Sequence, residues 1–187
     1  MTAVIGLEAY ALILAGLHAL GGVRTDEAQL PAALLIRLRD LFPPSKLLTA
    51  FPPEEGKPTR VCLYGEGYGR GIQSMGRLYR PDGADFALFD VLVGDWWLKW
   101  DAVTDVALKL GCTRVPDLGV FPSLLAVVSR VKAGIVSAIA HGYQAEGVVV
   151  CPLVDLRTRA GERVMGKLKA KDFPAQAGSS ANVGPNS

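Results

Sequence analysis

The sequence predicts an α+β protein, because strand-like and helix-like segments both recur along its 187 residues. Phe86 to Val93 is a nearly continuous hydrophobic run of strand-forming residues, which indicates a central strand buried on both faces. Apolar residues at spacings of three and four predict helices at Ala32 to Phe42, Trp100 to Leu110 and Leu124 to Ile139. Half of the residues are hydrophobic, so a domain of this length can bury a sizeable core.

A β-hairpin is predicted close to the end of the chain. Val148 to Val150 is a β-branched run, and Arg163 to Lys169 is a second strand-like segment. The intervening residues Thr158 to Glu162 include a glycine and predict the turn. The two strands are therefore expected to pair with each other.

The second of these strands carries Lys167 and Lys169, which are two residues apart. Side chains alternate along a strand, so both ammonium groups are expected on one face, and Glu146 lies at the mouth of the first strand. Carboxylates hold Mg²⁺ beside substrate phosphates and lysines neutralise phosphate charge, so this set suits a site for a metal and a polyphosphate. Alternating lysines are more often a solvated face or edge protection, and the pattern alone leaves that alternative open.

A glycine-rich segment follows the strand predicted at Arg60 to Tyr64. Its four glycines alternate with other residues, at Gly65, Gly67, Gly69 and Gly71. Such glycines allow a ligand to approach the backbone closely, but a tight strand-to-loop connection explains them as well. Their spacing fits neither the dinucleotide-binding motif nor a phosphate-binding loop.

Charge and cysteine content exclude several classes of site. The net charge of +2 is too small to indicate nucleic-acid binding, so any such site must be a local patch. The three cysteines, Cys62, Cys112 and Cys151, are odd in number and widely spaced, which argues against zinc and a disulfide framework. Cys62 and Cys151 lie in apolar runs and are expected to be buried thiols, in a reducing, cytoplasmic compartment.

Residues 1–23 form an atypical, almost wholly apolar segment. Glu8 and His18 interrupt it, which favours a soluble segment that packs against the domain over a membrane span. The segment also lacks the basic start of a signal peptide. At the other end, residues 174–187 have no periodicity and predict a disordered tail.

Four separated elements, in one order, resemble the ATP-dependent RNA ligases, in particular the small phage-type enzymes of the covalent nucleotidyltransferase superfamily. The elements are Arg24-Thr25-Asp26, the glycine-rich segment Leu63 to Gln73, Phe86 to Val91, and Glu146 to Val149 with Lys167 to Lys169. The resemblance covers residues 24–173 and implies an ATP-grasp-like nucleotidyltransferase core. Such a core has mainly antiparallel sheets, flanking helices and a nucleotide cleft.

The resemblance also implies the residues that would contact the nucleoside of ATP. Arg24 corresponds to an arginine near the ribose and phosphate, and Glu66 to an acid on the ribose hydroxyls. Phe89 corresponds to the aromatic residue that stacks on adenine, with Asp90 beside it as support. Asp90 interrupts an otherwise apolar strand, so on the pattern alone it is either a satisfied structural carboxylate or a ligand contact.

The hairpin residues acquire roles in the same way. The resemblance implies that Glu146 binds Mg²⁺ and that Lys167 and Lys169 contact the nucleotide phosphates as catalytic cations. A different feature departs from the family, whose members carry a Lys-x-Asp-Gly motif with the lysine that becomes adenylylated. The first lysine of this chain is Lys46 and the motif is absent, which indicates a truncated start, a shifted reading frame or a real loss.

These observations lead to one expected function and two alternatives. The expected function is an RNA ligase-like adenylyltransferase domain that binds ATP or AMP and Mg²⁺ and acts on RNA ends, without adenylylating itself. The first alternative is a non-catalytic RNA- or nucleotide-binding relative of these ligases. The second is a soluble α/β domain whose lysines and glycines are structural.

Overall fold

A computed structural model describes residues 12–13, 19–20, 30–53, 60–72, 76–140 and 142–173 of the chain. The chain divides into two compact units. Among the described residues, the larger unit comprises those up to 117 together with 138–140 and 142–143, and the smaller unit comprises 118–137 and 144–173. Arg24, most of the apolar segment 1–23 and the tail from 174 lie outside the described residues.

The larger unit contains a mixed sheet in which nearly all pairs are antiparallel. Its described strands are β1 (Leu12–Ile13), β2 (Ala19–Leu20), β3 (Val61–Gly69), β4 (Ala84–Val93), β5 (Trp96–Trp97) and β6 (Thr113–Arg114). The order is β2-β1-β3-β4-β5, and β6 pairs with β4 in parallel. The prediction of a central strand at Phe86 to Val93 is confirmed, since β4 has neighbours on both sides and is buried from Ala84 to Leu88.

Three of the four described helices of the larger unit pack on one face of this sheet. The described helices of the larger unit are α1 (Ala32–Leu41), α2 (Pro44–Ala50), α3 (Gly76–Tyr79) and α4 (Trp100–Leu110). Apolar side chains of α1, α2 and α4 pack with β3 and β4 in the main core, where Leu34, Phe86 and Val103 are almost fully buried. The predicted bounds of α4 are confirmed, and Gly111 ends the helix with a φ of 69°.

The glycine-rich segment is strand rather than loop as far as Gly69. A Cβ atom at Gly65 would overlap the ring of Phe86, and one at Gly67 would overlap the side chain of Leu34. Close packing in the protein core therefore accounts for these two glycines, without a ligand near the backbone.

The smaller unit is a two-stranded antiparallel sheet with one α-helix. Its elements are α5 (Leu124–Lys132), β7 (Gly147–Val150), β8 (Gly166–Lys169) and a short 3₁₀ turn (Ala170–Asp172). Val127, Val131, Ile135, Ala145 and Val148 form its buried core. The predicted hairpin is confirmed, and Gly161 lies in its turn with a φ of 85°.

Two sequence-based expectations were wrong. Helix α5 was expected to reach Ile139 but ends at Lys132, because Gly134 takes a φ of 84° and Val136 then pairs with Gln144. Cys151 was expected to be buried but is exposed. The end of α5 and the exposure of Cys151 both depend on contacts in the folded chain, and these contacts cannot be predicted from the hydrophobicity of the local sequence.

The predicted fold class is confirmed at the level of an α+β protein with mainly antiparallel sheets. None of the helices within the described residues has the length and apolar content needed to cross a membrane.

Candidate functional site

Glu66 and Phe89 lie on the same face of the β3–β4 pair, opposite the main core. Glu66 is directly across from Ala87 in the strand register, and directly opposed residues point to the same face. Ala87 and Phe89 both belong to a second apolar cluster, which also contains Tyr68 and Val115. Glu66 is only 1% exposed. Burying a carboxylate is costly unless it is hydrogen-bonded or paired, so Glu66 must be held by specific polar contacts.

Phe89 occupies an irregularity in the strand pairing. Gly65 is opposite Leu88 and Tyr64 is opposite Asp90, so Phe89 is the extra residue of a β-bulge. Bulges change the direction of a side chain and are common next to active sites. Phe89 is half-buried, so part of the residue remains accessible on this face.

Asp90 lies beside Tyr64 at the same bulge. It is half-buried rather than fully buried. Burial, a hydrogen bond with Cys62 and the negative charge of Asp90 together raise the pKa of the Tyr64 phenol to about 12. Tyr64 is therefore a neutral hydrogen-bonding group at physiological pH, with its ring 5.0 Å from that of Trp97.

Two further polar groups border the second apolar cluster, and sequence reasoning did not identify them. The guanidinium carbon of Arg114 lies 4.3 Å from the centre of a Trp100 ring, in a cation–π arrangement. Among the described residues, the buried Nη1 of Arg114 and Nε1 of Trp100 have no hydrogen-bond acceptor. Trp100 begins a helix that the apolar spacing predicts, but the sequence does not indicate its pairing with Arg114, because that pairing depends on the contact between β6 and the start of α4.

The start of β4 is anchored by two partly exposed arginines that pair with one buried carboxylate, Asp85. Asp85 accepts hydrogen bonds from Arg37 Nε at 2.9 Å, from Arg80 Nη1, and from the backbone N–H of Phe86 at 2.9 Å. The hydrogen bond with Asp85 raises the pKa of Arg37, and partial burial opposes that shift. The network holds α1 and the segment before β4 against the sheet that carries Glu66 and Phe89.

In the smaller unit, Lys167 and Lys169 lie on one face of β8. Lys167 is opposite Val149 and Lys169 is opposite Gly147. Val148 and Leu168, at the intervening positions, pack into the core of the smaller unit, so the lysines point away from that core. Both lysines are half-buried.

Glu146 immediately precedes β7. Its carbonyl accepts a hydrogen bond from the backbone N–H of Ala170 at 2.7 Å, which extends the hairpin ladder by one residue. At the next position, Gly147 lies against the backbone of Leu168 and Lys169, where a Cβ atom would be 2.8 Å from Lys169 Cα. The absence of a side chain at Gly147 thus permits the close pairing that fixes Glu146 and Lys169 in one hairpin.

The structure groups the predicted residues into two sets. Glu66, Phe89 and Asp90 belong to the larger unit, whereas Glu146, Lys167 and Lys169 belong to the smaller unit. Arg24 lies outside the described residues. Within the described part of the chain, no group of three or more His, Cys, Asp or Glu residues could hold a metal ion. A single carboxylate such as Glu146 fits Mg²⁺ only in the mode in which substrate phosphates supply further ligands.

Comparisons of the chain with protein-family models, with curated proteins and with solved structures found no match. The likeness to RNA ligases therefore remains a prediction from the motifs.

Proposed function

We propose that this chain is an RNA ligase-type nucleotide-binding protein that binds ATP or AMP with Mg²⁺ and acts on RNA ends. One observation carries the proposal: a buried carboxylate, Glu66, and a bulged aromatic residue, Phe89, share one face of β3 and β4. An aromatic ring supplies a stacking surface for a base, and a carboxylate accepts hydrogen bonds from ribose hydroxyls. Asp90 and Tyr64 support the bulge from the adjacent register position.

The hairpin of the smaller unit, considered by itself, has groups that suit phosphate. Lys167 and Lys169 present two cations on the face of β8 that points away from its core. Cations at this spacing neutralise phosphate oxygens and stabilise the charge that develops during phosphoryl or nucleotidyl transfer. Glu146 would hold Mg²⁺, which supplies additional charge neutralisation at the phosphates.

The reaction expected of this chain is limited because the nucleophilic lysine of the family is absent. The sequence lacks Lys-x-Asp-Gly, whose amine attacks the α-phosphorus in the family that it resembles. Noncovalent nucleotide binding and the sealing of RNA that already carries an adenylylated end require the phosphate- and metal-binding groups but not that amine. We therefore expect nucleotide binding, weak sealing of adenylylated RNA, and no transfer of AMP to the chain itself.

Thermal unfolding with and without MgATP tests the proposal. A ligand at one hundred times its Kd stabilises the folded state by about 2.7 kcal/mol, which raises Tm by about 5–10 °C for a protein of this size. Phe89→Leu should abolish the shift because it removes the ring, whereas Phe89→Tyr should retain it. Lys169→Ala should reduce the shift, whereas Lys171→Ala, which removes an exposed lysine of the adjacent turn, should not.

A Tm that MgATP leaves unchanged would refute nucleotide binding and favour the soluble α/β domain with structural lysines and glycines. Incubation with ATP labelled at the α-phosphate, followed by a denaturing gel, tests the covalent step separately. A labelled band at the size of this chain would show that another residue replaces the missing lysine.

The absence of Lys-x-Asp-Gly also favours a second candidate, a non-catalytic nucleotide- or RNA-binding relative of these ligases. Incubation of the protein with RNA that carries an adenylylated end distinguishes the ligase-type reaction from the non-catalytic alternative. Sealing that is lost in Lys167→Ala and Glu146→Ala supports the ligase-type reaction. Binding of that RNA without any sealing by the parent protein supports the non-catalytic relative.

A further inference from the structure

Charge is unevenly divided between the two units. The described residues of the smaller unit contain eight Lys and Arg against four Asp and Glu, a net charge of +4. Those of the larger unit contain ten against nine, a net of +1. The whole chain has a net charge of only +2, so the smaller unit is the local basic region that the overall composition conceals.

The loop that joins β7 to β8, residues 151–165, projects part of this charge into solvent. Every residue from 151 to 162 is exposed. The loop nevertheless has defined hydrogen bonds, since Val164 N–H donates to Leu156 O at 2.8 Å and Thr158 N–H donates to Glu162 O at 2.8 Å. It is therefore an ordered extension of the hairpin, with Arg159 close to its turn.

Two arginines face each other directly across this extension. Arg157 and Arg163 form an antiparallel bridge pair, an arrangement in which like charges repel. The carboxylate of Asp155 lies between them, 3.3 Å from Nη2 of Arg157 and 3.3 Å from Nε of Arg163. Residues 151–165 contain three arginines against two carboxylates, Asp155 and Glu162, so the loop as a whole has a net positive charge that a bound anion can neutralise.

We propose that the β7–β8 loop binds the phosphate backbone of single-stranded RNA through Arg157 and Arg159, with Arg163 fixing the position of Arg157 through Asp155. Planar guanidinium groups suit phosphate oxygens and also stack on unpaired bases. Leu153, Val154 and Leu156 expose apolar surface on the same loop, on which splayed bases can pack. The identity of the polyanion as RNA rests on the proposed function, whereas the charge arrangement does not.

Fluorescence anisotropy of a labelled single-stranded RNA, measured between 50 and 200 mM salt, tests the proposal. Arg157→Ala/Arg159→Ala should weaken binding about tenfold at low salt and lower the slope of log affinity against log salt by about 1.4, or about 0.7 for each lost phosphate contact. The matched control, Lys99→Ala/Lys109→Ala, removes the same charge from exposed positions of the larger unit and should change neither quantity. Arg157→Lys/Arg159→Lys should retain most of the salt slope.

If Arg157→Ala/Arg159→Ala and the control Lys99→Ala/Lys109→Ala change RNA binding equally, or if neither changes it, the proposal is overturned. Flotation with vesicles rich in phosphatidylserine provides a second arm. If wild type does not bind RNA but is captured by vesicles in a way that depends on Leu153 and Arg157, the partner is a lipid surface and the RNA proposal is overturned. The MgATP-dependent Tm shift should be the same in Arg157→Ala/Arg159→Ala and in wild type. If wild type shows no such shift, the proposed nucleotide site is refuted, but the proposal that the loop binds a polyanion is not.

Discussion

Replacing Gly147 with alanine should disrupt the hairpin that carries Glu146 and Lys169. The new Cβ atom would lie 2.8 Å from Lys169 Cα and 2.9 Å from the carbonyl carbon of Leu168. Both neighbours are backbone atoms, so rotation of a side chain cannot relieve the overlap, and the strands must separate. Forcing extra volume into a packed site costs about 1–3 kcal/mol.

Hydrogen exchange on peptides that cover β7 and β8 is the appropriate measurement. The three tryptophans, Trp96, Trp97 and Trp100, all lie in the larger unit, so intrinsic fluorescence follows that unit instead. A cost of about 1–3 kcal/mol lowers the protection of the Val148 and Leu168 amides by about 5- to 150-fold. Because Lys169 is displaced together with its strand, the MgATP-dependent Tm shift should fall as well.

Gly166→Ala is the matched control within the same hairpin. A Cβ atom there would lie 3.5 Å from the Val150 side chain, which is ordinary van der Waals contact. Its hydrogen exchange should remain within about threefold of wild type, equivalent to less than about 0.7 kcal/mol. Equal protection in the Gly147→Ala and Gly166→Ala variants would refute the argument that Gly147 is required for close strand pairing.

Three further predictions concern the larger unit and the thiols. Asp85→Asn should lower the free energy of unfolding by about 2–3 kcal/mol, measured by urea unfolding with tryptophan fluorescence, because two partly exposed arginines lose their shared carboxylate. The control Asp105→Asn, which removes an exposed ion pair, should lower it by less than about 0.5 kcal/mol. Equal losses in the two variants would contradict this prediction. Burial raises the pKa of Cys112 from 9.0 to about 11, so both states keep the proton below pH 9 and only the unfolded state loses it between pH 9 and 11. Wild type should therefore lose up to about 2 kcal/mol over that range relative to Cys112→Ala, and parallel pH profiles would exclude this effect. A thiol reagent at pH 8 should label one cysteine rapidly, the exposed Cys151, and Cys151→Ser should remove that phase. Two rapid phases would be inconsistent with the partial burial of Cys62 and Cys112, which raises the pKa of both thiols.

Part of the candidate site could be predicted from motifs alone. Lys167 and Lys169 were expected on one face of a strand, and the alternation in β8 confirms this because it follows from backbone geometry at every strand residue. Arg114 and Trp100 could not be predicted in the same way. Their contact joins the end of β6 to the start of α4, and the apolar spacing that predicts α4 does not indicate which residue packs on Trp100.

The sequence by itself determined the α+β class, the position of β4, both ends of α4 and the β7–β8 hairpin. These features follow from local composition: hydrophobic periodicity, β-branched runs, and a glycine such as Gly111 that can adopt positive φ. Only the tertiary structure decided that Phe89 is a bulge residue, that Gly65 and Gly67 pack beneath core side chains, and that Arg157 opposes Arg163. Each of those outcomes depends on the register between strands, which is set by contacts between residues far apart in the chain and is not encoded in any one segment.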